Sequence, residues 1–422
     1  MSGPLTNWAG NHTYAASTVH TPHSVSELAA LLGHADQLRV LGTRHSFTAI
    51  GDAATLVRLD RLPEAGQIRI DAAAMTVTIG PCVTYAQLTA ALHRAGLALE
   101  NLASLPHISV CGSVATATHG SGAHGNLATA VLAMTLLTGT GERLVLTEGD
   151  PRLPAGTVHL GLLGIVLELT LRVLPAYPLT QTVYEGLDWA TLIAHTSEIF
   201  ALGYSVSVFH HLSDRPPALW VKATPGSPPA AERFGVHPAP APRHPIPGQD
   251  ADACTDQLGV PGPSSERLPH FRAGHNPSHG AEIQSELFVA IADGPAAIRA
   301  LLELAPRLAP GLLVGELRTV AADGLWLSPQ YGRDSLGLHF TWARDPDAVA
   351  HNVALIEAAL TPFAPRPHWG KVFSLPPVAL STAYARTADF GALRAELDPR
   401  DVFVNGWVRA RFPALTARPG GR

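Results

Sequence analysis

The chain has 422 residues, a net charge of −5 and a hydrophobic fraction of 46%. This length accommodates two domains with a full hydrophobic core, and the slightly acidic balance gives no electrostatic reason to expect nucleic acid or an anionic membrane as partner. No apolar run is long enough to predict a membrane span, and the N-terminus lacks the features of a signal peptide. The three cysteines, Cys82, Cys111 and Cys254, are widely spaced. This pattern is typical of a reducing compartment, and we expect a cytoplasmic monomer.

The first 175 residues are predicted to mix helices with short strands. Ser24 to Glu27 forms a capping box that opens a helix at 25–34, and Thr84 to Gln87 opens a second helix that ends near Gly96. Short apolar runs predict strands at 38–41, 56–62, 76–79, 131–137 and 143–147, followed by a buried strand-rich segment at 160–173. The predicted class is α+β.

Pro175 and Pro178 mark the predicted boundary between two domains. Beyond them the pattern predicts strands at 182–184, 205–210, 219–223, 286–291, 312–320 and 336–342, helices at 189–202, 296–308, 347–360 and 390–397, and a last strand or turn at 403–407. Residues 225–263 contain ten prolines. We predict an irregular, exposed loop there.

The segment from Asn101 to Gly125 is rich in glycine, serine and threonine and has little side-chain bulk. Such a segment allows a large ligand to approach the backbone, whose N–H groups bind phosphate oxygens. A glycine-rich surface loop is the alternative, but Val110, Val114 and the apolar run after Gly125 favour a buried cofactor-binding segment.

Familiar motifs do not explain this segment. Residues 120–125 match G-x-G-x-x-G, but the preceding residues are small and polar where a dinucleotide-binding fold requires a hydrophobic strand. The chain has no G-x-S-x-G motif of the α/β-hydrolases. It also has no H-E-x-x-H motif, and we predict no protein-held metal.

Lysine is scarce, since Lys222 and Lys371 are the only two among 29 basic residues. In a chain that otherwise uses arginine, a lysine is a candidate for a chemical role, because the pKa of an ammonium can shift while that of a guanidinium stays high. Lys371 ends the segment Arg366 to Lys371, where Trp369 is predicted to form an apolar wall over the ammonium. A capping lysine on a surface turn is the alternative.

Two predicted strands present polar pairs on one face. Alternation places Glu316 and Arg318 together on one strand and His339 and Thr341 together on another. A half-solvated antiparallel sheet has the same alternation. The carboxylate, guanidinium, imidazole and hydroxyl of these two pairs favour a pocket for a polyhydroxylated ligand. Residues 284–286 are predicted to add a third set of polar side chains to this pocket.

These segments together resemble the alditol oxidases, a family of vanillyl-alcohol-oxidase-like FAD flavoproteins. The resemblance extends over nearly the full length and is carried by GTRHSF at 42–47, SLPHISV at 104–110, ATATHGSG at 115–122, E-x-R at 316–318 and HWGK at 368–371. It does not cover the proline-rich residues near 225–263.

The resemblance implies a two-domain, PCMH-type FAD-binding fold. The FAD domain would comprise residues 1–176 completed by 375–422, and an inserted cap domain of antiparallel sheet and helices would comprise 177–374. His45 would bond covalently to the isoalloxazine ring. The implied FAD-binding residues are Val40, Leu41, Gly42, Thr43, Arg44, His45, Ser46, Ala103, Ser104, Ser109, Gly112, Thr116, Ala117, Thr118, His119 and Val166. Ala103 would leave room for dioxygen.

The resemblance also implies oxidation of the terminal alcohol of an alditol, such as xylitol or sorbitol, to the aldose, with O2 reduced to H2O2. Lys371, Glu316, Arg318 and His339 would act in catalysis. The implied substrate-binding residues are Ser104, Gln284, Glu316, Arg318, Thr341, His368 and Lys371. An aldonolactone oxidase or dehydrogenase of the same superfamily is the nearest alternative, and a non-catalytic flavin-binding protein is a further one.

Overall fold

The structure is a computed structural model that describes residues 4–227, 229–274 and 281–416. Within these ranges no helix is both long and apolar enough to span a bilayer. One cluster of buried hydrophobic side chains extends from Val77 in the N-terminal half to Trp342 and Phe412 in the C-terminal half. The two halves of the chain therefore share a continuous core.

Two small sheets organise the residues before Pro175. A parallel sheet has the order β1 (Thr18–His20), β3 (Thr55–Val57), β2 (Leu38–Val40). An antiparallel sheet has the order β4 (Ile68–Asp71), β5 (Thr76–Ile79), β9 (Ile165–Arg172), β7 (Val131–Leu137), β8 (Arg143–Thr147). The two-residue strands β6 (Leu97–Ala98) and β10 (Leu174–Pro175) pair with each other.

The helices of this half are α1 (Val25–His34), α2 (Tyr85–Arg94), α3 (Val110–Ala115) and α4 (Leu153–Thr157). The capping box at Thr84 and Gln87 is confirmed, and at α1 the Ser24 hydroxyl accepts from the Glu27 amide while the Glu27 carboxylate accepts from the His23 amide. Side-chain capping satisfies amide groups that have no partner inside the helix.

A large antiparallel sheet contains the strands after Pro175. Its order is β14 (His237–Pro238), β11 (Pro178–Glu185), β13 (Ala218–Ala223), β12 (Ser205–His210), β17 (Leu312–Val320), β18 (Ser335–Ala343), β16 (Glu282–Ala290), β19 (Arg366–Pro367), and β15 (Gly262–Pro263) also pairs with β11. The helices α5 (Trp189–Ala194), α6 (Thr196–Phe200), α7 (Gly294–Leu308) and α8 (Pro346–Leu360) accompany it. Phe340 and Trp342 stack on the apolar face of β18.

The C-terminal tail returns to the N-terminal half. It contains α9 (Pro377–Ala383), α10 (Thr387–Leu397), α11 (Gly406–Arg411) and α12 (Pro413–Thr416). The Leu38 amide of β2 donates to the Val402 carbonyl at 2.8 Å, and the Asn405 amide group donates to the Ala49 and Asp52 carbonyls. The described tail therefore packs against β2 and the turn that follows it.

Three predicted elements differ from the structure. The helix predicted at 189–202 is interrupted at His195, whose φ of −124° leaves the helical range and separates α5 from α6. The strand predicted at 56–62 ends at Val57. Residues 403–407 are not a strand: Asn405 caps α11 by accepting from the Val408 amide.

The proline-rich segment at 225–263 is irregular, as predicted, but it is not simply exposed. Phe234, Val236 and Cys254 are buried, and β14 and β15 pair with β11. The Gln257 side chain donates to the Arg243 carbonyl and accepts from the Arg243 amide, at 2.7 and 2.8 Å. Prolines remove backbone donors, and side chains and a sheet edge supply partners for some of the remaining backbone groups of this segment.

Candidate functional site

A cavity of about 350 Å3 lies between two walls. The first wall comes from the N-terminal half, around residues 39–51, 103–119 and 159–166, and the second comes mainly from the large sheet, around residues 282–284, 314–318, 339–341 and 368–371. A volume of this size is typical of a small-molecule site, roughly 300–1,000 Å3.

Nearly every residue predicted for the site lines this cavity. The first wall includes Val40, Leu41, Gly42, Thr43, Arg44, His45, Ser46, Ala103, Ser104, Ser109, Gly112, Thr116, Thr118, His119 and Val166. The second wall includes Gln284, Glu316, Arg318, His339, Thr341, His368 and Lys371. Ala117 is the exception, since its side chain is fully buried in the core and it contributes a turn with φ of +54°.

The loop after β2 brings Gly42 to Ser46 onto the first wall. The Arg44 carbonyl accepts from the Trp8 amide at 2.8 Å, and the Phe47 amide donates to the Gly370 carbonyl at 2.7 Å. Arg44 has a φ of +62°, a left-handed conformation that costs energy for a residue with a side chain. Ala117 and Leu160 share this conformation. Such conformations are typical of backbone held in place around a ligand site.

Small residues allow close packing in the first wall, where the loop after β2 meets α3. A Cβ atom added to Gly112 would lie 2.8 Å from the Ser109 Oγ, and one added to Gly42 would lie 3.2 Å from the same oxygen. The Ser109 amide donates to the Thr43 hydroxyl at 3.2 Å, which joins the two segments. The absence of side chains at Gly42 and Gly112 therefore leaves backbone open to the cavity.

His45 is an imidazole without hydrogen-bond partners. It stacks on Trp8 with ring centroids 5.3 Å apart, and the His107 ring lies 4.6 Å away. Neither ring nitrogen of His45 has a hydrogen-bond partner of normal geometry among the described residues. Burial, followed by the neighbouring His107, lowers its pKa to about 3, although the Thr43 backbone opposes the shift. The ring is therefore neutral, with a nitrogen lone pair free for bonding to a ligand.

The second wall is a polar face of the large sheet. Cross-strand pairing sets Glu316 opposite His339, and His339 opposite Glu286, on neighbouring strands. Thr341 pairs with Gln284 on the same face. All residues of β17 from Val314 to Val320 are buried. The half-solvated sheet considered as an alternative is therefore wrong, because this polar face is enclosed by the first wall.

Glu286 contacts several of the charged and titratable side chains at this wall. Its carboxylate lies 2.6 Å from the Lys371 Nζ, 3.1 Å from the Arg318 Nη2 and 3.2 Å from the His119 Nε2. Burial alone would raise the pKa of Glu286, but Lys371, His119 and Arg318 hold this pKa well below its usual range. Glu286 is therefore an anion that neutralises the cations around it.

Lys371 is enclosed rather than exposed on a turn. Its Nζ lies 2.6 Å from Glu286 and 2.8 Å from the His339 Nδ1, and its side chain is 13% exposed. Burial lowers the pKa of Lys371, and Glu286 opposes that shift. The predicted wall of Trp369 over the ammonium is wrong, since Trp369 packs on Tyr384 and Phe412 and does not line the cavity.

Two further contacts link the remaining predicted residues. The Arg318 Nη1 donates to the Ser104 hydroxyl at 3.3 Å and so connects the two walls. The His339 Nε2 lies 3.1 Å from the Thr341 hydroxyl. Burial, followed by Lys371, lowers the pKa of His339 to about 4. His339 is therefore neutral and accepts from the lysine.

Several cavity or wall residues were not predicted as site residues. Glu286 was noted only as part of residues 284–286, and His270, Lys222 and residues 244–246 of the proline-rich segment were not assigned to the site. His270 and residues 244–246 line the cavity, and Lys222 contacts His270. The scarcity of lysine was a signal for Lys222, because both lysines of the chain lie in this region, Lys222 buried and Lys371 largely enclosed.

His119, Glu286 and His368 form a group whose possible ligand atoms lie within 4.8 Å of one another. The charges around the group disfavour a metal ion, because Lys371 and Arg318 already occupy the two oxygens of Glu286. A metal cation at this group would be repelled by both the Lys371 ammonium and the Arg318 guanidinium.

Two family models match the chain. A model described as an FAD binding domain matches residues 16–147, and one described as D-arabinono-1,4-lactone oxidase matches residues 283–411. The first match contains the loop of His45 and the glycine-rich segment, and the second contains Glu316, Arg318 and Lys371.

Curated relatives cover the whole chain. The alditol oxidase of Streptomyces sp. (strain IKD472) is 44% identical over 97% of this chain and 99% of its own length. The L-gulono-1,4-lactone dehydrogenase of Mycobacterium tuberculosis is 29% identical over the same shares. The L-gulonolactone oxidase of Bos taurus is 24% identical over 96% of this chain and 97% of its own.

Solved structures share the fold. A cholesterol oxidase from B. sterolicum superimposes with a TM-score of 0.78 at 15% identity, covering 97% of this chain and 96% of its own. The predicted α+β, PCMH-type FAD-binding fold is confirmed. Taken with the 44% identity over the full length, these matches show that the chain belongs to the alditol oxidase family of vanillyl-alcohol-oxidase-type FAD flavoproteins.

Proposed function

We propose that the protein is an FAD-dependent oxidase that converts the terminal primary alcohol of an alditol, such as xylitol or sorbitol, to the aldose while O2 becomes H2O2. The observation that carries this proposal is the second wall, where Glu316, Arg318 and Lys371 line one cavity face. A polyol presents hydroxyls that both donate and accept, and this wall offers it a carboxylate, a guanidinium and an ammonium. The identity to a known alditol oxidase supports the same activity.

FAD would lie along the first wall, with its ring bonded covalently to His45. The unpartnered, neutral ring of His45 and the side-chain-free approach at Gly42 and Gly112 support this proposal. Loop residues 40–46, Ala103, Ser104, Ser109, Gly112, Thr116, Thr118, His119 and Val166 would hold the cofactor. Ala117 would act through the backbone turn that it forms, and Ala103 would leave room for dioxygen.

When bound, FAD supplies the hydride acceptor and the electrons that reduce O2. The chain's own task is to bind the polyol and to favour the oxyanion of its reacting hydroxyl. An ammonium has three donors, and Glu286 and His339 engage two of those of Lys371. The third is left for the substrate hydroxyl, which the positive charge polarises.

The neighbouring hydroxyls would bind to Glu316 and Arg318. Arg318 is fixed by Glu286 on one side and by Ser104 on the other. Ser104, Gln284, Thr341 and His368 would complete the polyol site, with His339 between Lys371 and Thr341. A substrate shifted along this row of groups would lose its contact with Lys371, so the wall selects which carbon reacts.

An aldonolactone oxidase or dehydrogenase is the second candidate, because the C-terminal family model and several relatives carry that description. Peroxide release and oxygen uptake with xylitol and sorbitol, compared with an aldonolactone, separate the two. We expect turnover of the alditols. Turnover of the lactone alone would refute the proposal in favour of the second candidate, and failure of every substrate to bleach the flavin would indicate a non-catalytic flavoprotein.

The division into an FAD domain of residues 1–176 with 375–422 and a cap domain of 177–374 is part of this proposal. It is supported by the contacts of the described tail with β2 and by the placement of the large sheet between β11 and β19. Cys82, Cys111 and Cys254 are unpaired thiols. This supports the cytoplasmic location that we propose.

A further inference from the structure

A chain of three buried side chains lies behind the polyol wall. The Lys222 Nζ is 3.3 Å from the His270 Nδ1, and the His270 Nε2 is 2.9 Å from the Glu316 Oε1. The exposed fractions of Lys222, His270 and Glu316 are 1%, 4% and 4%. Lys222 and Glu316 lie on β13 and β17, and His270 belongs to the segment that follows β15. We call these residues the Lys222–His270–Glu316 chain.

The chemistry of its members fixes the direction of the hydrogen bonds. An ammonium can only donate, and Lys222 donates to the Leu268 carbonyl and to His270. The His270 Nδ1 must then accept, so that its Nε2 carries the hydrogen and donates to Glu316. Burial, followed by Lys222, lowers the pKa of His270 to about 4, which keeps the ring neutral.

Without His270, one oxygen of Glu316 would have no close partner among the described residues. The Arg318 Nε lies 3.5 Å from the other oxygen, Oε2, which is long for a hydrogen bond. The rings of Phe209 and Trp220 hold His270 edge-on at 5.1 and 5.7 Å. The two aromatic rings therefore pack against His270, whose Nε2 points to the carboxylate that faces the cavity.

We propose that His270 and Lys222 are positioning residues that hold the Glu316 carboxylate in orientation for polyol binding. This inference rests on the proposed function, since it assigns Glu316 to the polyol. Neither residue touches the reacting atoms in this role, and both act through Glu316.

Deprotonation of Lys222 does not reverse these hydrogen bonds. Burial lowers the pKa of Lys222 to about 7 from 10.5, although Glu316 opposes the shift. A neutral lysine still carries two hydrogens, which suffice for the Leu268 carbonyl and the His270 Nδ1. The other tautomer of His270 would set the Nε2 lone pair against the Glu316 carboxylate, so the Nε2–H form should persist as pH rises.

Other charged and titratable groups also face the chain. Arg318 and His339 lie near Glu316, and Cys254 faces Lys222. The Ser207 hydroxyl lies 3.5 Å from the His270 Nε2. The thiol pKa of Cys254 is raised by burial to about 12, and the pKa of Arg318 is raised above its usual value by Glu316 and Glu286 against burial. Of the groups around the chain, Lys222 is the one whose charge changes near neutral pH.

Steady-state kinetics of the holoenzyme with xylitol or sorbitol test this role through His270→Leu and His270→Gln. Leucine removes the donor to Glu316, and glutamine restores an N–H donor. We expect His270→Leu to raise KM by roughly tenfold or more, as for loss of a hydrogen bond to a charged group, with kcat little changed. His270→Gln should keep KM near that of the wild type.

His195→Leu, on an exposed turn between α5 and α6, is the matched control and should leave KM unchanged. Flavin content and thermal unfolding of each variant exclude a folding defect. An unchanged KM in His270→Leu, or a His270→Gln variant as impaired as His270→Leu, would overturn the inference.

A readout without turnover separates this inference from the proposed function. Nitrogen-15 NMR of histidine-labelled protein, assigned by subtraction of the His270→Gln spectrum, reports the tautomer directly. We expect the Nε2–H form of His270 at pH 6, and we expect this form to persist at about pH 9. The Nδ1–H form at pH 6 would refute the chain even if polyols are oxidised. A wild type that oxidises no polyol but holds the Nε2–H form would refute the proposed function and leave the chain intact.

Discussion

At the scale of single residues, the His45 ring combines a neutral state with two unpartnered nitrogens. We expect wild-type protein to keep its flavin colour after acid precipitation, and His45→Ala to lose it, because only a covalent bond survives unfolding. The absorbance of the washed precipitate measures this, and His195→Ala should match the wild type. Release of all colour from wild-type protein by acid would disprove the bond.

Lys371 is held by Glu286 and His339 with one donor left over. We expect Lys371→Ala to slow flavin reduction by a polyol by more than about tenfold, a barrier change above ~1.4 kcal/mol, because the oxyanion loses its cation. Anaerobic stopped-flow absorbance measures this rate. Flavin content should stay normal, since Lys371 belongs to the second wall. A variant that reduces its flavin at the wild-type rate would remove Lys371 from the mechanism.

Lys222 also affects stability in a pH-dependent way. Its folded-state pKa of about 7 lies below the ordinary value of 10.5, so between these values the unfolded chain binds a proton that the folded protein does not. The free energy of unfolding of the wild type should therefore rise with pH across this window. Below pH about 7 the folded protein bears the whole cost of burying the Lys222 ammonium. Urea unfolding of Lys222→Met should lack this rise, which is about 5 kcal/mol over the whole window. Equal pH slopes in both proteins would contradict the buried titration.

At the scale of elements, the glycine-rich segment is held by close contact of its backbone with Asn101. A Cβ atom at Gly120 would lie 2.1 Å from the Asn101 Oδ1 and 2.5 Å from the Leu102 carbonyl. Gly120→Ala should therefore destabilise the protein by roughly 1–3 kcal/mol. Gly33→Ala is the control, because nothing lies within 4 Å of that site in α1. It should stabilise by roughly 0.5–1 kcal/mol. Thermal unfolding compares them, and equal melting temperatures would disprove the close contact.

The strands and helices with strong local patterns agree with prediction, and the departures have local causes. The alternation in β17 and β18 correctly placed Glu316 with Arg318 and His339 with Thr341. The helical pattern at 189–202 contained no glycine or proline to signal the break at His195. Proline content correctly predicted irregular backbone at 225–263, but composition carries no information on what covers such a segment.

At the scale of the whole molecule, the described surface is consistent with a monomer. Its exposed large hydrophobic side chains are few, at Val19, Val145, Leu258, Val260 and Val378, and only Leu258 and Val260 are close in sequence. A few exposed apolar side chains are normal for a monomeric protein, whereas large contiguous apolar patches mark interaction sites. Light scattering should therefore give a mass near 44.4 kDa at all concentrations tested. A mass near twice that value would disprove the monomer.

The sequence by itself determined the class of fold, the capped helices, the polar faces of β17 and β18, and the family through its motifs. These depend on residue spacing over a few positions, where periodicity and capping chemistry act directly. The scarcity of lysine likewise pointed to Lys371 before any contact was known.

Only the tertiary structure decided which charged and polar side chains contact one another. Glu286 and Lys371 are 85 residues apart in sequence, Arg318 and Ser104 are 214 apart, and His270 reaches Glu316 from a segment with no regular structure. A period-two pattern is the same for a solvated face and for a buried polar wall, because alternation fixes the direction of a side chain but not what covers it. Burial and long-range pairing, which set the pKa values of this site, arise only when the two halves of the chain pack together.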